Sequence, residues 1–580
     1  MASSLLTSFA EHLGNGFRRK SIVTCSKWAE RCRIMGKPFP GPYSYKYFPW
    51  AREIHDCEDE LWVMQKCAQI GGTEIVLNRV FYTIDIKRVD CLYLLPSQTP
   101  DATQFSAGRF APALEMSPYL SSLFSDTDNV GHKRAGSTNL YIRGTRSRAQ
   151  LKSVPAGLIV FDEMDEMTQD NLPLAEQRQS GQMFHQSIKL STPTIAGHGI
   201  NKEYTTSTQE RFNFKCPHCS RWTELRYPEC IVIPTDDLND PKIKLSHLIC
   251  KECKATRDHA TKHEWLTIDP AKTKHGANDI ARFVTNNVVN SGHRGFHVHS
   301  FYSSADARHP SKIAARILKS RIDPIEEQEM WNSDFGEVHE VKGARVKDED
   351  ILACQEFTQS ISMAFNLRPK IQPGTLVTMG VDPGAEIHYE ICSWHPVQQS
   401  QSNVTHTKYS SDISFAFIPR LIDYGSVREF DYLDDLMRKW QVRGCCIDGE
   451  TEKRLGLEFA YRFPGFVHLV FYVEGVSARN LNEWANEPSM SVDRTSWLDL
   501  SLGRFRTHKI LLPADLTKEY RDHIKAPVRQ PGRDKHGNPN ARYITADRVA
   551  DHLAHCRNYS EIALMIATNP SNNKSMVSPR

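Results

Sequence analysis

The stretch KCAQIGGTE, residues 66–74, has the make-up of a phosphate-gripping loop that lacks its usual lysine. Such a loop reads G-x-x-x-x-G-K-[ST]; its lysine reaches the β- and γ-phosphates and its hydroxyl residue meets Mg²⁺. Here Gly72 stands directly before Thr73, where that lysine is expected. Lys66, at the other end of the loop, can fold back and supply the charge. Gly71 and Gly72 let the backbone approach an anion at the N-terminus of the helix that follows. A glycine-rich turn without a ligand is the alternative that the loop alone leaves open.

Two further stretches favour the phosphate reading. LIVFDEMDEM, 158–167, is an apolar strand with Asp162 and Glu163 at its carboxyl end. Asp162 is placed to hold Mg²⁺, and Glu163 to orient and deprotonate an attacking water. Asp165 and Glu166 read as helix-start charges. SIKLSTPT, 187–194, is a second strand ending in Ser191, Thr192 and Thr194, hydroxyl residues that can sense the γ-phosphate and relay its state.

A second chemistry lies in Cys216, Cys219, Cys250 and Cys253, two CxxC knuckles 30 residues apart. Four thiolates in a tetrahedral array hold structural Zn²⁺. His218, Cys230 and His247 lie close enough in sequence to replace one ligand.

A third chemistry rests on aspartates. TLVTMGVDPG, 375–384, ends an apolar strand in Asp382, and GCCIDGE, 444–450, repeats the design with Asp448. TADRVADHLAHC, 545–556, reads as a helix capped by Thr545, with Asp547 and Asp551 four apart on one face. Carboxylates converging from two strand ends and a helix can bind two Mg²⁺ or Mn²⁺ ions against a phosphodiester. Residues 504–548 carry 11 Lys and Arg against 5 Asp and Glu, which fits phosphate contact or a solvated loop.

The elements that must position these residues follow from the apolar pattern. Short apolar runs at 61–64, 91–95, 158–161 and 188–190 suit buried strands of a mostly parallel sheet. A second α/β block opens at Thr375, and FDYLDDLMRKWQ, 430–441, puts Phe430, Leu433, Leu436, Met437 and Trp440 on one helical face. With 580 residues the chain exceeds one core. The expected division is a helical segment at 1–40, an ATPase domain at 41–340 with a zinc insertion at 211–260, a linker at 341–372, a nuclease domain at 373–560 and a disordered tail at 561–580. The formal charge of +3 excludes a histone-like basic coat. No apolar run reaches bilayer length and no secretory leader is legible, so the 15 cysteines read as cytosolic thiols or metal ligands.

An ATPase core, an inserted knuckle element and a three-aspartate block in one chain resemble the large subunit of a viral, tailed-phage terminase of the lambda-like GpA family. KCAQIGGTE is similar to that family's loop, in which an early lysine replaces the usual one and Q-x-G-x-T-E follows. YLLPSQTPDATQFSAGRFAPALEMSP (93–118), RGTRSRAQLKSVPAGLIVFDEMDEM and HRGFHVHSFYSS (293–304) match its style. The resemblance implies an α/β chain with an N-terminal P-loop ATPase of ASCE type, a zinc-knuckle insertion and a C-terminal RNase H-like nuclease. It implies ATP held by Lys66, Gln69, Gly71, Gly72, Thr73 and Asp162, with Glu163 catalytic and Ser191, Thr192 and Thr194 coupling. It assigns Asp382, Asp448 and Asp551 to the nuclease metals; Asp547, where the family more often has another polar residue, keeps the third position open. The implied cofactors are ATP, Mg²⁺ or Mn²⁺, and structural Zn²⁺. The implied partners are double-stranded DNA, a small terminase subunit and the portal of a procapsid, with the chain in a homo-oligomeric ring, away from membranes, in the host cytoplasm. Arg109, Arg143, Arg146 and Arg148 are candidates for an arginine lent to a neighbour. A helicase or remodelling ATPase with an inactive second block, and a zinc-bearing DNA-binding scaffold, are the competing readings.

Overall fold

The computed structural model describes residues 23–124, 128–152, 154–266, 281–287, 292–356, 375–396, 416–473, 482–484, 486–533 and 539–568. The chain divides into two compact units, one ending at His339 and one beginning at Glu340.

The first unit is built on strands β1 (Leu61–Lys66), β2 (Cys91–Leu95), β3 (Thr138–Gly144), β4 (Leu158–Asp162), β5 (Gln186–Ser191), β6 (Glu210–Lys215), β7 (Trp222–Glu224) and β8 (His293–Val298). Their order across the sheet is β7-β6-β8-β1-β5-β4-β2-β3, and two short strands extend it beyond β3. From β6 to β3 all neighbours on this path run parallel. Every residue of β2 and β4 is buried, which is why their sequences are unbroken apolar runs rather than alternating ones. All the parallel strands present their carboxyl ends on one edge, so Lys66, Asp162 and Ser191 emerge side by side.

Helix α1 (Cys25–Cys32) is not peripheral. Trp28 and Cys25 are buried, the Trp28 indole donates to Asp85 at 2.9 Å, and Arg33, just past the helix, pairs with Glu74 at 2.6 Å. The expected segment at 1–40 is therefore part of the first unit from residue 23 on; its beginning lies outside the described residues. The zinc insertion also starts later than expected. Position 211 falls inside β6, a strand of the central sheet, because RFNF alternates buried and half-buried residues against β8 and β7.

The second unit centres on β9 (Leu376–Pro383), β10 (Ile387–Pro396), β11 (Phe417–Val427), β12 (Gly444–Asp448), β13 (Val467–Tyr472) and β14 (Ser489–Val492). The order is β11-β10-β9-β12-β13-β14, closed by a short strand at Asn482–Glu483. β9, β12, β13 and β14 run parallel, while β10 and β11 are antiparallel. Helix α2 (Asp431–Lys439) buries Leu433, Leu436 and Met437, the face expected from the sequence. Helix α3 (His552–Ala567) lies across β9 and β12. Gly380 of β9 lets it approach: a Cβ there would sit 1.9 Å from the Cys556 carbonyl oxygen and 2.4 Å from the Ser560 nitrogen. Gly380→Ala must push helix from sheet, and we expect a loss of about 3 kcal/mol, read as a drop in the unfolding midpoint of the second unit.

Three expected boundaries change here. Part of the 341–372 linker belongs to the second unit: Asp348–Ala353 is helical, and Gln355–Glu356 pairs with Leu512–Pro513. The rest of it lies outside the described residues. The tail expected from 561 is buried helix as far as Ala567, where Glu561 meets Arg504 and Arg557; residues 569–580 lie outside the described residues. The helix expected from Thr545 begins at His552, because Arg548 takes a left-handed φ of 62° that ends any helical path before it.

Candidate functional site

Lys66 is the last residue of β1, and its side chain is almost wholly buried. Its Nζ lies 2.9 Å from Glu163 Oε1. Burial works against its charge, but the Glu163 and Asp162 carboxylates hold its pKa above the ordinary lysine value. The loop then turns through Gln69 (φ 57°) and Gly71 (φ 91°) into the helix Gly72–Tyr82. Gly72 is required by the lysine itself: a Cβ at this position would lie 2.8 Å from Lys66 Cδ. The residue that stands where a P-loop lysine is expected is thus glycine because Lys66 occupies that space.

Asp162 ends β4 and is buried. Its Oδ2 accepts from the Thr73 hydroxyl at 3.0 Å and from the Tyr93 hydroxyl at 2.6 Å. Its Oδ1 is buried without a partner. Burial, and then the Glu163 charge, push its carboxyl up to about 6. A buried carboxylate with an orphaned oxygen beside a hydroxyl fits a divalent cation. Glu163 sits at φ 62°, an uncommon backbone for a side chain of this size and a kind of strain that concentrates at functional sites.

The Ser191 hydroxyl at the end of β5 donates to Glu163 Oε2 at 3.4 Å and accepts from the Asp165 backbone N–H at 3.2 Å. Asp165 is not a solvated helix-start charge. It is buried and accepts from the Thr194 N–H and hydroxyl, at 2.9 and 2.8 Å, and from the Ile200 N–H at 2.7 Å. The Thr194 carbonyl in turn accepts from Asn332 at 3.1 Å. The Thr192 carbonyl, at 3.1 Å, is the alternative acceptor for the single Ser191 hydroxyl proton.

Two cavities meet at the loop. One, about 690 Å³, is lined by Thr73, Asp162, Glu163, Glu166, Arg109 and Arg146. The other, about 430 Å³, runs from Lys66, Gln69 and Gly71 to Phe39, Tyr47 and Phe48. Phe39 and Tyr47 stack at 4.2 Å and 13°. Of the four candidate arginines, Arg109 and Arg146 line the first cavity. Arg143 instead packs over the Tyr141 ring. Tyr93, Asp165 and this aromatic wall were missed in the sequence: they have no motif spacing, and YSYKYFPW reads only as an aromatic-rich run.

The four knuckle cysteines come together, with every sulfur within 4.8 Å of the others, and they are the one such group of metal-ligating type among the described residues. Each knuckle closes on a backbone bond, Ser220 N–H to Cys216 O at 2.8 Å and Lys254 N–H to Cys250 O at 3.0 Å, with φ of 58° at Ser220 and 60° at Lys254. The Ala255 N–H draws the Cys253 thiol down to about 6, while burial pushes Cys216 up to about 11. Cys230 instead donates to the Glu224 carbonyl, and His247 bonds the Leu245 carbonyl, so neither replaces a ligand.

In the second unit, β9 and β12 pair in parallel from Thr378↔Gly444 to Val381↔Ile447, so the next residues, Asp382 one short of the end of β9 and Asp448 at the end of β12, follow in register on neighbouring strands. Parallel neighbours lie about 4.8 Å apart and point in-register side chains to one face. Asp448 accepts from the Tyr559 hydroxyl at 3.2 Å and from the Thr451 hydroxyl at 2.8 Å. Asp382 Oδ2 lies 2.8 Å from His552 Nδ1. Asp551 precedes α3 and is bound by the Thr545 hydroxyl at 2.6 Å and by His555 at 3.5 Å. Burial opposes its ionisation, yet these partners hold its carboxyl well below the usual range. Asp547 lies in the non-helical approach to α3 and shares no helical face with Asp551. Among the described residues, Asp382, Asp448 and Asp551 do not form a ready-made metal-ligating group.

Much of the basic stretch is neutralised internally. Arg504 is buried on Glu561, Arg529 pairs with Asp499, and Lys525 with Asp348. Its loop-like part forms a hairpin, Val528–Arg533 with Pro539–Ile544.

A parallel sheet in the first unit carries a buried lysine, a glycine turn and an Asp-Glu pair at its strand ends. Residues 37–271 match the family described as phage terminase large subunit gpA, ATPase domain. No curated protein matches the chain. Among solved structures it is similar to the HK97 bacteriophage large terminase (10% identity, TM-score 0.48, 93% of this chain and 99% of that one). It is also similar to the ATPase domain of a Thermus phage large terminase (11%, TM-score 0.31, 51% and 94%). A third likeness is to the large terminase nuclease of thermophilic phage G20c with bound magnesium (11%, TM-score 0.20, 33% and 82%). No helix among the described residues is long and apolar enough to cross a membrane.

Proposed function

We propose that the chain drives double-stranded viral DNA through a portal into a procapsid with its first unit and cuts concatemeric DNA with its second. The observation that carries the pairing of these activities is the register of β9 and β12, which sets Asp382 and Asp448 side by side near the ends of two neighbouring parallel strands.

In the ATPase unit, the triphosphate lies along the loop 66–73 and the base enters the cavity walled by Phe39, Tyr47 and Phe48. Asp162 and Thr73 would hold Mg²⁺, which when bound neutralises phosphate charge. Lys66 and Glu163 neutralise each other at 2.9 Å without nucleotide. An arriving phosphate competes for the lysine and frees the carboxylate, so the base becomes available when its substrate is present. Glu163 then takes the proton of the attacking water, as general bases of this kind do. Ser191 reports the state of Glu163 to Asp165, and Asp165 passes it to Thr194 and Ile200. A strand between β1 and β4, here β5, is the arrangement expected of an ASCE-type ATPase.

In the nuclease unit, Asp382 and Asp448 would hold divalent cations, which when bound stabilise the attacking and leaving oxygens of a phosphodiester. Asp551 is the third acid of this reading. Tyr559 and Thr451 orient Asp448. Cys216, Cys219, Cys250 and Cys253 would hold a structural Zn²⁺, which when bound ties the two knuckles of the insertion together. We expect one zinc per chain by elemental analysis. Its removal by a chelator should open the 216–253 segment to protease, and retained resistance would count against a structural metal.

The test is to incubate the purified chain with double-stranded DNA and Mn²⁺, with and without ATP. Cutting, together with DNA-stimulated ATP turnover, supports the proposal. Turnover without cutting under any divalent metal leaves the helicase or remodelling ATPase reading in its place.

A further inference from the structure

A third cavity, about 300 Å³, opens at the carboxyl end of β8, beside the strand that carries Lys66. Arg211, Arg226, Tyr227, Trp331, Phe335 and Glu337 line it. His297 and His299 reach it too, but burial holds both imidazoles far below the ordinary histidine pKa, so they add no charge near neutrality. Its charge is therefore set by two guanidiniums against one carboxylate. Arg211 donates to Glu337 Oε1 at 2.7 Å. Arg226 is exposed, and Glu224, 3.9 Å from it, also meets Lys251 at 3.2 Å. Tyr227 and Phe335 stack at 4.5 Å and 13°, and Trp331 meets Tyr227 edge-on at 5.3 Å and 71°. Planar guanidinium forks match the oxygens of a phosphate, and the ring wall offers an apolar face to the sugar beside it.

The wall of this cavity is bonded to the ATP site. Asn332 Nδ2 donates to the Glu337 carbonyl at 2.8 Å and to the Thr194 carbonyl at 3.1 Å. Thr194 holds Asp165, whose N–H meets the Ser191 hydroxyl beside Glu163. The Ser333 carbonyl, one residue on from Asn332, accepts from the Ala68 N–H of the phosphate loop at 2.9 Å. The 332–337 segment thus touches both the loop that would hold the phosphates and the strand end that would sense them.

We propose that this cavity binds a phosphate of the DNA backbone, and that Glu337, released from Arg211 as the phosphate arrives, passes the event through Asn332 to Thr194 and the ATP site. The proposal rests on the DNA-packaging reading above. The exchange has the form derived for Lys66 and Glu163: a carboxylate neutralises a cation until a phosphate competes for it. Asn332 is a positioning residue, since it acts through Thr194 and not on the nucleotide.

The experiment measures DNA binding and ATP turnover of the full chain across DNA and salt concentrations. Arg226→Ala should leave turnover without DNA unchanged. It should need about tenfold more DNA for half-maximal stimulation and lower the slope of log affinity against log salt by about one, the signature of one lost phosphate contact. Arg226→Lys should keep the slope. Glu337→Gln should raise turnover without DNA and shrink the stimulation, because the amide no longer holds Arg211 by charge. Stimulation and salt slope that Arg226→Ala leaves at wild-type values overturn the proposal, as does a Glu337→Gln variant as dependent on DNA as wild type. Inorganic sulfate in place of DNA should give no rise in turnover that depends on Arg226; such a rise makes the ligand a free oxyanion and overturns the DNA assignment. Wild-type turnover that DNA does not raise overturns the packaging reading and this proposal together.

Discussion

Glu163→Gln lowers ATP turnover about a thousandfold and leaves nucleotide affinity unchanged or tighter. The magnitude is that of removing a positioned general base, ~10²–10⁴ in rate. The direction of the affinity change comes from the ground state. Glu163 and Lys66 form an ion pair at 2.9 Å, and Lys66 must leave it to meet a phosphate. The amide retains an oxygen for the Ser191 hydroxyl but no charge to compete for the lysine. Steady-state ATPase kinetics and equilibrium binding of a fluorescent nucleotide separate the two effects. A turnover loss below about tenfold would take Glu163 out of the chemistry. Lys66→Ala differs in kind, because it removes the phosphate contact itself and should weaken binding as well as turnover.

Asp382→Asn abolishes DNA cutting, with a loss of about a thousandfold or more, while ATP turnover stays within about twofold of wild type. A thousandfold is about 4 kcal/mol of transition-state stabilisation, a fair share for one charged ligand of a catalytic metal. Asp448→Asn should act the same way. Three donors from Thr451 and Tyr559 converge on its carboxylate, and an amide with a single acceptor oxygen cannot satisfy them all. The ATPase is spared because Lys66, Asp162 and Glu163 belong to the other compact unit. Nicking of supercoiled plasmid measures the first activity and phosphate release the second. Cutting that survives both substitutions would remove the nuclease from the account.

The parts of the molecule that were legible in the sequence are those where local pattern and burial coincide. LIVFD and GCCID read as buried strands ending in a carboxylate because parallel strands covered on both faces carry unbroken apolar runs. The glycine before Thr73, where a lysine is expected, has its structural cause in the clash a Cβ would make with the Lys66 stem. What escaped was contributed across long sequence distances. Tyr93 reaches Asp162 from 69 residues away, and His552 reaches Asp382 from 170. Asp165 resembled a helix-start charge because its partners, Thr194 and Ile200, lie 29 and 35 residues on. The helix expected from Thr545 failed for a backbone reason, the left-handed turn at Arg548, which no glycine or proline announces. The basic stretch looked free because its answering carboxylates, Glu561, Asp499 and Asp348, are remote or follow later in the chain.

Two strand ends sharing a cation in the second unit are what separate a motor that also cuts from a motor alone. The most direct measurement is an anomalous difference map, recorded at the manganese edge, from crystals of the full chain soaked in Mn²⁺. The account predicts a peak between the carboxylates of Asp382 and Asp448. Manganese bound elsewhere while these two aspartates remain bare would contradict it.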